Sequence, residues 1–138
     1  MNILFFIKPK SDLAFIKKEN TLRQALEVME HYRYSSIPIL DNDGAYVGTI
    51  TEGDLLWFIK RKGILNIKEF ESINIMEVSR RVDYDFVRAD SNMEDLILKA
   101  ANQNFVPVVD DSDHFIGMIT RKDIILYYFN NMNCKEEE

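Results

Sequence analysis

The chain has 138 residues, 46% of them hydrophobic and 29% charged, with a formal net charge of −6. That composition builds a globular core. It excludes disorder and the basic surface that nonspecific nucleic-acid binding requires. No apolar run reaches the roughly 18 residues of a membrane span, and the lone cysteine, Cys134, excludes an internal disulfide and fits a reducing compartment.

Residues 1–7 are apolar but lack a basic flank and a small-residue cleavage site, so they read as a core or interface segment of a cytoplasmic protein. Residues 13–16 predict a short strand. Asn20 or Thr21 then caps a helix that ends between His31 and Tyr34, with Gln24 placed for a capping box if Thr21 is the cap. Residues 37–40 and 45–50 are β-rich runs joined by Asp41-Asn42-Asp43-Gly44, the signature of a hairpin. A helix over 52–61 closes at Gly63. The order is strand, helix, hairpin, helix.

A linker over 64–78, with a short helix around 67–71, leads to the same order again. Residues 83–87 predict the first strand and 93–101 the helix, capped by Ser91 or Asn92. Residues 106–109 and 115–119 predict a hairpin around Asp110-Asp111-Ser112-Asp113, and 121–129 the last helix. The expected domains are therefore a repeat over 1–63, the linker, a second repeat over 79–130 and a polar tail over 131–138 ending in a solvated Lys135-Glu136-Glu137-Glu138.

The copies share more than their order. Pro38 and Pro107, Gly48 and Gly117, Thr51 and Thr120, and Asp54 and Asp123 all stand 69 residues apart. The first strands align at an offset of 71, so the second copy is two residues shorter before its proline. A polar Thr-x-x-Asp closing each copy points to two related ligand sites rather than one catalytic centre. The helices that follow, with Leu55-Leu56-Trp57-Phe58-Ile59 and Ile124-Ile125-Leu126-Tyr127-Tyr128-Phe129, are apolar almost all round. Such helices are buried on more than one side. A homodimer interface is expected there, the competing arrangement being burial between the repeats.

These residues resemble a tandem pair of CBS domains, the Bateman module. Ser35-Ser36-Ile37-Pro38-Ile39-Leu40-Asp41 with Gly48-Thr49-Ile50-Thr51-Glu52-Gly53-Asp54 carry the first match. Asn104-Phe105-Val106-Pro107-Val108-Val109-Asp110 with Gly117-Met118-Ile119-Thr120-Arg121-Lys122-Asp123 carry the second. The resemblance spans about residues 8–130. It implies an α/β (α+β) fold of two pseudo-twofold-related repeats, sheets packed with helices outside, in a stand-alone bacterial protein. It also implies a homodimer and two clefts that take adenosine compounds.

A carboxylate accepts both hydroxyls of a ribose diol, and in the resembled family the motif Asp does so. Asp54 and Asp123 match it, with Thr51 and Thr120 beside the helix start for phosphate or ribose. The resemblance places Ala14, Tyr34, Ser35, Ile37 and Pro38 with Asp123, and Asp85, Asn104, Val106 and Pro107 with Asp54. Phosphate needs cations, and Arg121, Lys122, Lys8 and Lys10 would serve Asp123, while Arg80 and Arg81 would serve Asp54. The basic pairs read equally as solvated surface charges, and the two Asp residues as helix N-terminal acids.

The unequal charges, Glu52-Gly53 against Arg121-Lys122 and Ala14 against Asp85, predict tighter binding at Asp123. The Asp-rich loops lack the twelfth-position Glu of a Ca²⁺ loop and read as turns. His31 and His114 read as surface residues, and no metal site is expected. The expected function is a non-catalytic sensor of AMP, ADP, ATP, S-adenosylmethionine or cyclic di-AMP that acts on an unidentified protein partner, with neither nucleic acid nor membrane bound. A ligand-free interaction module is the competing reading. No activated nucleophile or base supports an enzyme.

Overall fold

A computed structural model describes residues 1–136, with side chains described through residue 132. The fold is mixed α/β, with strands β1 (Lys8–Pro9), β2 (Ile16–Lys17), β3 (Ser36–Leu40), β4 (Tyr46–Thr51), β5 (Val87–Arg88), β6 (Phe105–Val109) and β7 (Phe115–Thr120). Its helices are α1 (Leu22–Tyr32), α2 (Glu52–Lys62), α3 (Met93–Ala100) and α4 (Arg121–Glu136). Among the described residues, no helix is long and apolar enough to cross a membrane.

Two compact units form, and they do not follow the repeat boundaries expected from the sequence. One comprises residues 14–84 and the other residues 1–13 with 85–138. In the first, β2, β3 and β4 make a three-stranded sheet, β2 parallel and β4 antiparallel to β3. Ile16, Leu22, Ala25, Ile37, Ile39 and Ile50 fill its core. Residues 64–78, expected as a linker, are part of this unit. Leu22 N–H donates to Ile73 O at 2.8 Å and Ile75 N–H to Asn20 O at 2.9 Å, and Phe70, Ile75 and Val78 are buried.

In the second unit the sheet order is β1-β7-β6-β5. The N-terminal residues supply its edge: a 3-10 turn over Ile3–Phe6 buries Ile3 and Phe6, and β1 pairs antiparallel with β7. Each hairpin is thus covered by the segment that precedes the other copy's first strand. The close approach makes a demand at Gly117, where an added Cβ would collide with the Lys8 carbonyl oxygen and meet the Ile7 side chain at 2.9 Å. Gly117→Ala is therefore expected to cost about 1–3 kcal/mol. Gly53→Ala, a helix position whose Cβ would meet nothing nearer than 3.8 Å, should add about 0.5–1 kcal/mol instead. Urea denaturation of the two variants checks both signs.

Local chemistry explains most boundaries. Thr21 is the cap of α1: its hydroxyl accepts Gln24 N–H at 3.1 Å while its own N–H reaches Gln24 Oε1 at 2.9 Å. In the hairpin turns, Asp41 Oδ1 accepts the N–H groups of Asp43 and Ala45, and Asp110 Oδ1 those of Ser112 and His114. The backbone bonds from Ala45 and from His114 hold the two carboxyls below the ordinary range. Both Asp-rich loops are therefore closed by turn chemistry.

Three expectations change. The first strands are two-residue segments set later than expected, Ile16–Lys17 and Val87–Arg88. The strand β1 was not foreseen. Helix α4 runs to Glu136, so most of the expected tail is helical; residues 137–138 lie outside the described residues, as do the side chains of Cys134 and the other residues from 133 onward.

Candidate functional site

Each Thr-x-x-Asp closes a β4- or β7-type strand and starts a helix, and the two are built differently. In the unit of residues 14–84, Thr51 caps α2 and forms a complete capping box. Its hydroxyl accepts Asp54 N–H at 3.2 Å, and its N–H donates to Asp54 Oδ2 at 3.0 Å. The other oxygen, Oδ1, accepts Arg81 N–H at 3.0 Å. Asp54 is 5% exposed. Its carboxylate ties the segment around residue 81 to the start of α2.

Arg80 is occupied too. Its Nε donates to Asp83 Oδ1 at 2.6 Å, and the pair lies against Gly48, where a Cβ would meet the Arg80 Nε at 2.8 Å. Beside it, the Tyr46 hydroxyl lies 2.6 Å from Thr49 Oγ1 and donates to Tyr84 O at 3.3 Å; burial pushes its ionisation up. In contrast, Arg81 is exposed and its side chain borders a depression with Trp57, Arg61 and Ser79.

In the other unit, Thr120 Oγ1 accepts Asp123 N–H at 3.2 Å. The Asp123 carboxylate is one-third exposed, with Lys8 Nζ at 3.6 Å from Oδ2. Lys10 follows in a 3-10 turn over Lys10–Asp12 and is half-buried. Arg121 turns back: its Nε donates to Ala100 O at 2.8 Å and Gln103 O at 2.9 Å, closing the C-terminal end of α3. Lys122 is exposed, and with Asn104, Arg121, Ile125 and Leu126 it lines a shallow depression of about 400 Å³.

Before each proline the exposed residues, Ser35 and Asn104, give way to buried ones. Ile37, Pro38, Val106 and Pro107 are buried in β3 and β6, and Ser35 O and Asn104 O accept the first N–H of α2 and α4 at 3.0 and 2.9 Å. Ala14 is buried, and its N–H donates to the Tyr34 hydroxyl at 3.5 Å. At the matching place in the second copy, Gln103 was missed by the sequence reading. Its Oε1 accepts Asp85 N–H at 2.8 Å, and its Nε2 donates to Asp85 O and Phe105 O, both at 3.0 Å. Gln103 stands 69 residues after Tyr34, so the repeat offset was the signal that could have found it.

Residues 6–61 and 75–130 each match the CBS domain. The chain belongs to the CBS-domain family. It is 32% identical over 118 residues to the inosine-5'-monophosphate dehydrogenase of Methanocaldococcus jannaschii, covering 83% of this chain and 21% of that protein. It is 30% identical over 113 residues to the homoserine O-acetyltransferase of Methanohalobium evestigatum, covering 82% and 22%. The CBS pair thus spans about a fifth of the length of these curated relatives. A crystal structure of CbpB in complex with c-di-AMP superposes with a TM-score of 0.84 at 22% identity, over 100% of this chain and 91% of that one. A hypothetical conserved protein from Geobacillus kaustophilus superposes at 0.85 and 25% identity, over 95% and 98%. The likeness to CbpB establishes a shared fold.

Proposed function

We propose that this CBS pair is a non-catalytic sensor of an adenosine nucleotide, with Asp123 as the residue that accepts the ribose diol. The observation that carries the reading is the partly exposed Asp123 carboxylate beside Thr120 and Lys8. It supplies an ionised acceptor, a hydroxyl and a cation within one small unit. A diol, a phosphate and a base need that combination. Lys122 adds an exposed positive charge on the residue before Asp123, and Arg121 holds the end of α3 in place. The solved complex of CbpB with c-di-AMP favours that dinucleotide among the candidates.

Leu56, Ile125, Leu126 and Phe129 stay exposed on α2 and α4. A second copy of the chain covers them in the proposed assembly. Burial of such side chains contributes roughly 1.5–3 kcal/mol each. Ligand binding acts on a partner protein by favouring one arrangement of this dimer, since a ligand shifts only states that it distinguishes.

Native mass spectrometry of the purified protein tests both parts. The expected spectrum shows twice the chain mass with a retained adenine nucleotide, whose mass separates cyclic di-AMP from AMP or ATP. A bare chain that also gains no thermal stability from any of these nucleotides would replace the sensor with an interaction module. A ligand at 100 times its Kd adds about 2.7 kcal/mol, a shift easily seen.

A further inference from the structure

The turn that follows α2 holds an apolar side chain wholly in solvent: Leu65 is 99% exposed. The backbone on either side of it is fixed. Before it, Gly63 takes the left-handed conformation, with φ 65°, and Ile64 N–H returns to Ile59 O at 3.2 Å, the bond that closes a helix C-terminus. Ile59 and Ile64 pack against the core of this unit. After it, Asn66 Oδ1 accepts Lys68 N–H at 2.9 Å and starts a 3-10 turn over Ile67–Ser72. Leu65 stands between these two stops, so the fold presents it outward. Next along the chain, Ile64 joins Phe58 and Ile73 in lining a recess of about 250 Å³, completed by Lys62 and Glu77. Glu77 is engaged, its Oε2 accepting Asn74 N–H at 2.7 Å. The recess has room for a single large side chain.

The flanks of Leu65 are basic. Residues 60–69 carry four basic side chains against one acid, Glu69, in a chain of net charge −6. Among the described residues, Lys60, Lys62 and Lys68 make no ion pair. Lys60 Nζ lies 5.4 Å from the centre of the Trp57 ring and Lys62 Nζ 5.9 Å from that of Phe58, contacts that place an ammonium group without neutralising it. Lys62 and Lys68 each stand three residues from Leu65. That separation is at most roughly 10 Å along the chain, about one Debye length. An aliphatic knob between unpaired ammonium groups calls for an occupant that is apolar at its centre and anionic around it. A protein segment fits better than a bilayer. A recess sized for one side chain needs a knob to fill it, and the acidic remainder of the chain is repelled by an anionic lipid surface.

We propose that Leu65, the adjoining recess and Lys60, Lys62 and Lys68 form a docking surface for an extended acidic segment of a partner protein, with a large apolar side chain set between its carboxylates. This surface rests on the proposed function only for the existence of a protein partner. The apolar side chain enters the recess, Leu65 packs against the segment beside it, and the carboxylates meet the lysines.

The full chain is panned, without nucleotide, against a displayed library of random short peptides, and the enriched peptides are titrated in solution. The expected peptides are rich in Asp and Glu around a Leu, Ile, Phe or Met. Leu65→Ser should weaken them about tenfold or more. Lys62→Gln/Lys68→Gln should weaken them at low ionic strength and flatten the salt dependence that the parent shows. Circular dichroism should stay unchanged, because Leu65 is fully exposed. Enrichment of no acidic peptide overturns the proposal, as do peptides that bind Leu65→Ser as tightly as the parent. Sedimentation of the parent, but not of Leu65→Ser, with phosphatidylserine vesicles overturns it in favour of a membrane. A native mass that falls to one chain in Leu65→Ser overturns it in favour of a second copy. The sensor reading fails separately, through loss of nucleotide binding at Asp123, which a titration run without nucleotide does not read.

Discussion

Replacing Asp54 by alanine is expected to lower the melting temperature by about 10 °C while leaving nucleotide affinity within about threefold of the parent. The substitution removes the acceptor from two amides, Thr51 N–H and Arg81 N–H, that Asp54 satisfies at 3.0 Å each. Loss of a helix-capping partner costs about 1 kcal/mol, and a part-buried amide left without an acceptor about 1–3 kcal/mol. Together these reach about 3 kcal/mol, a large share of the stability of a small protein. Asp54→Asn keeps one carbonyl acceptor and should lose about half as much. Thermal unfolding followed by circular dichroism, with calorimetry below the transition, reads both quantities. An unchanged melting temperature combined with lost nucleotide binding would show that Asp54 is a ligand residue and not a latch.

Sequence alone could not separate these roles, because Thr51-x-x-Asp54 and Thr120-x-x-Asp123 are identical in spacing. The difference comes from the segment that each hairpin receives. The segment around residue 81 brings a backbone N–H to Asp54, whereas the segment around residue 8 brings the side chain of Lys8 to Asp123. Those segments precede the first strand of the opposite copy, so local pattern says nothing about where they pack. The same reason hid β1. A Lys-Pro dipeptide has no strand signal of its own and becomes a strand only through pairing with Met118 and Gly117.

What was legible had local causes. The hairpins followed from Asp-rich turns between β-branched runs, and α1 from the Thr21–Gln24 box. The repeat offset carried the family. The first strands were misplaced because a two-residue parallel pair, Ile16–Lys17 on Ile39–Leu40, takes its identity from its neighbour rather than from its own residues. Residues 64–78 read as a linker because their apolar side chains are spaced without a single period; Phe70, Ile75 and Val78 nonetheless enter the core. The charge asymmetry between the motifs was visible, but its physical form was not. Arg121, grouped with Lys122 as a phosphate cation, spends its Nε on the end of α3. The positive charge nearest Asp123 comes from Lys8 instead.

Asp123→Ala should have the opposite signature to Asp54→Ala. The Asp123 side chain is one-third exposed and its partner Lys8 half exposed. An ion pair of that kind contributes about 0–1 kcal/mol, and an acidic group in the first turn of a helix a similar amount. The melting temperature should therefore fall by no more than about 5 °C. Binding should suffer far more. A carboxylate that accepts two hydroxyls makes two charge-assisted bonds of about 1.5–3 kcal/mol each. Losing about 3 kcal/mol weakens the Kd on the order of 100-fold. Isothermal calorimetry with AMP, ATP and cyclic di-AMP reads the loss directly. Lys8→Gln is the companion variant: it keeps the diol acceptor but removes a cation, so it should weaken phosphorylated ligands severalfold and leave adenosine unchanged. Equal losses for Asp123→Ala and Asp54→Ala would remove the asymmetry. A nucleotide that still binds Asp123→Ala at full affinity would remove the diol-accepting role altogether, and the partly exposed carboxylate would then be only the first-turn acid of α4.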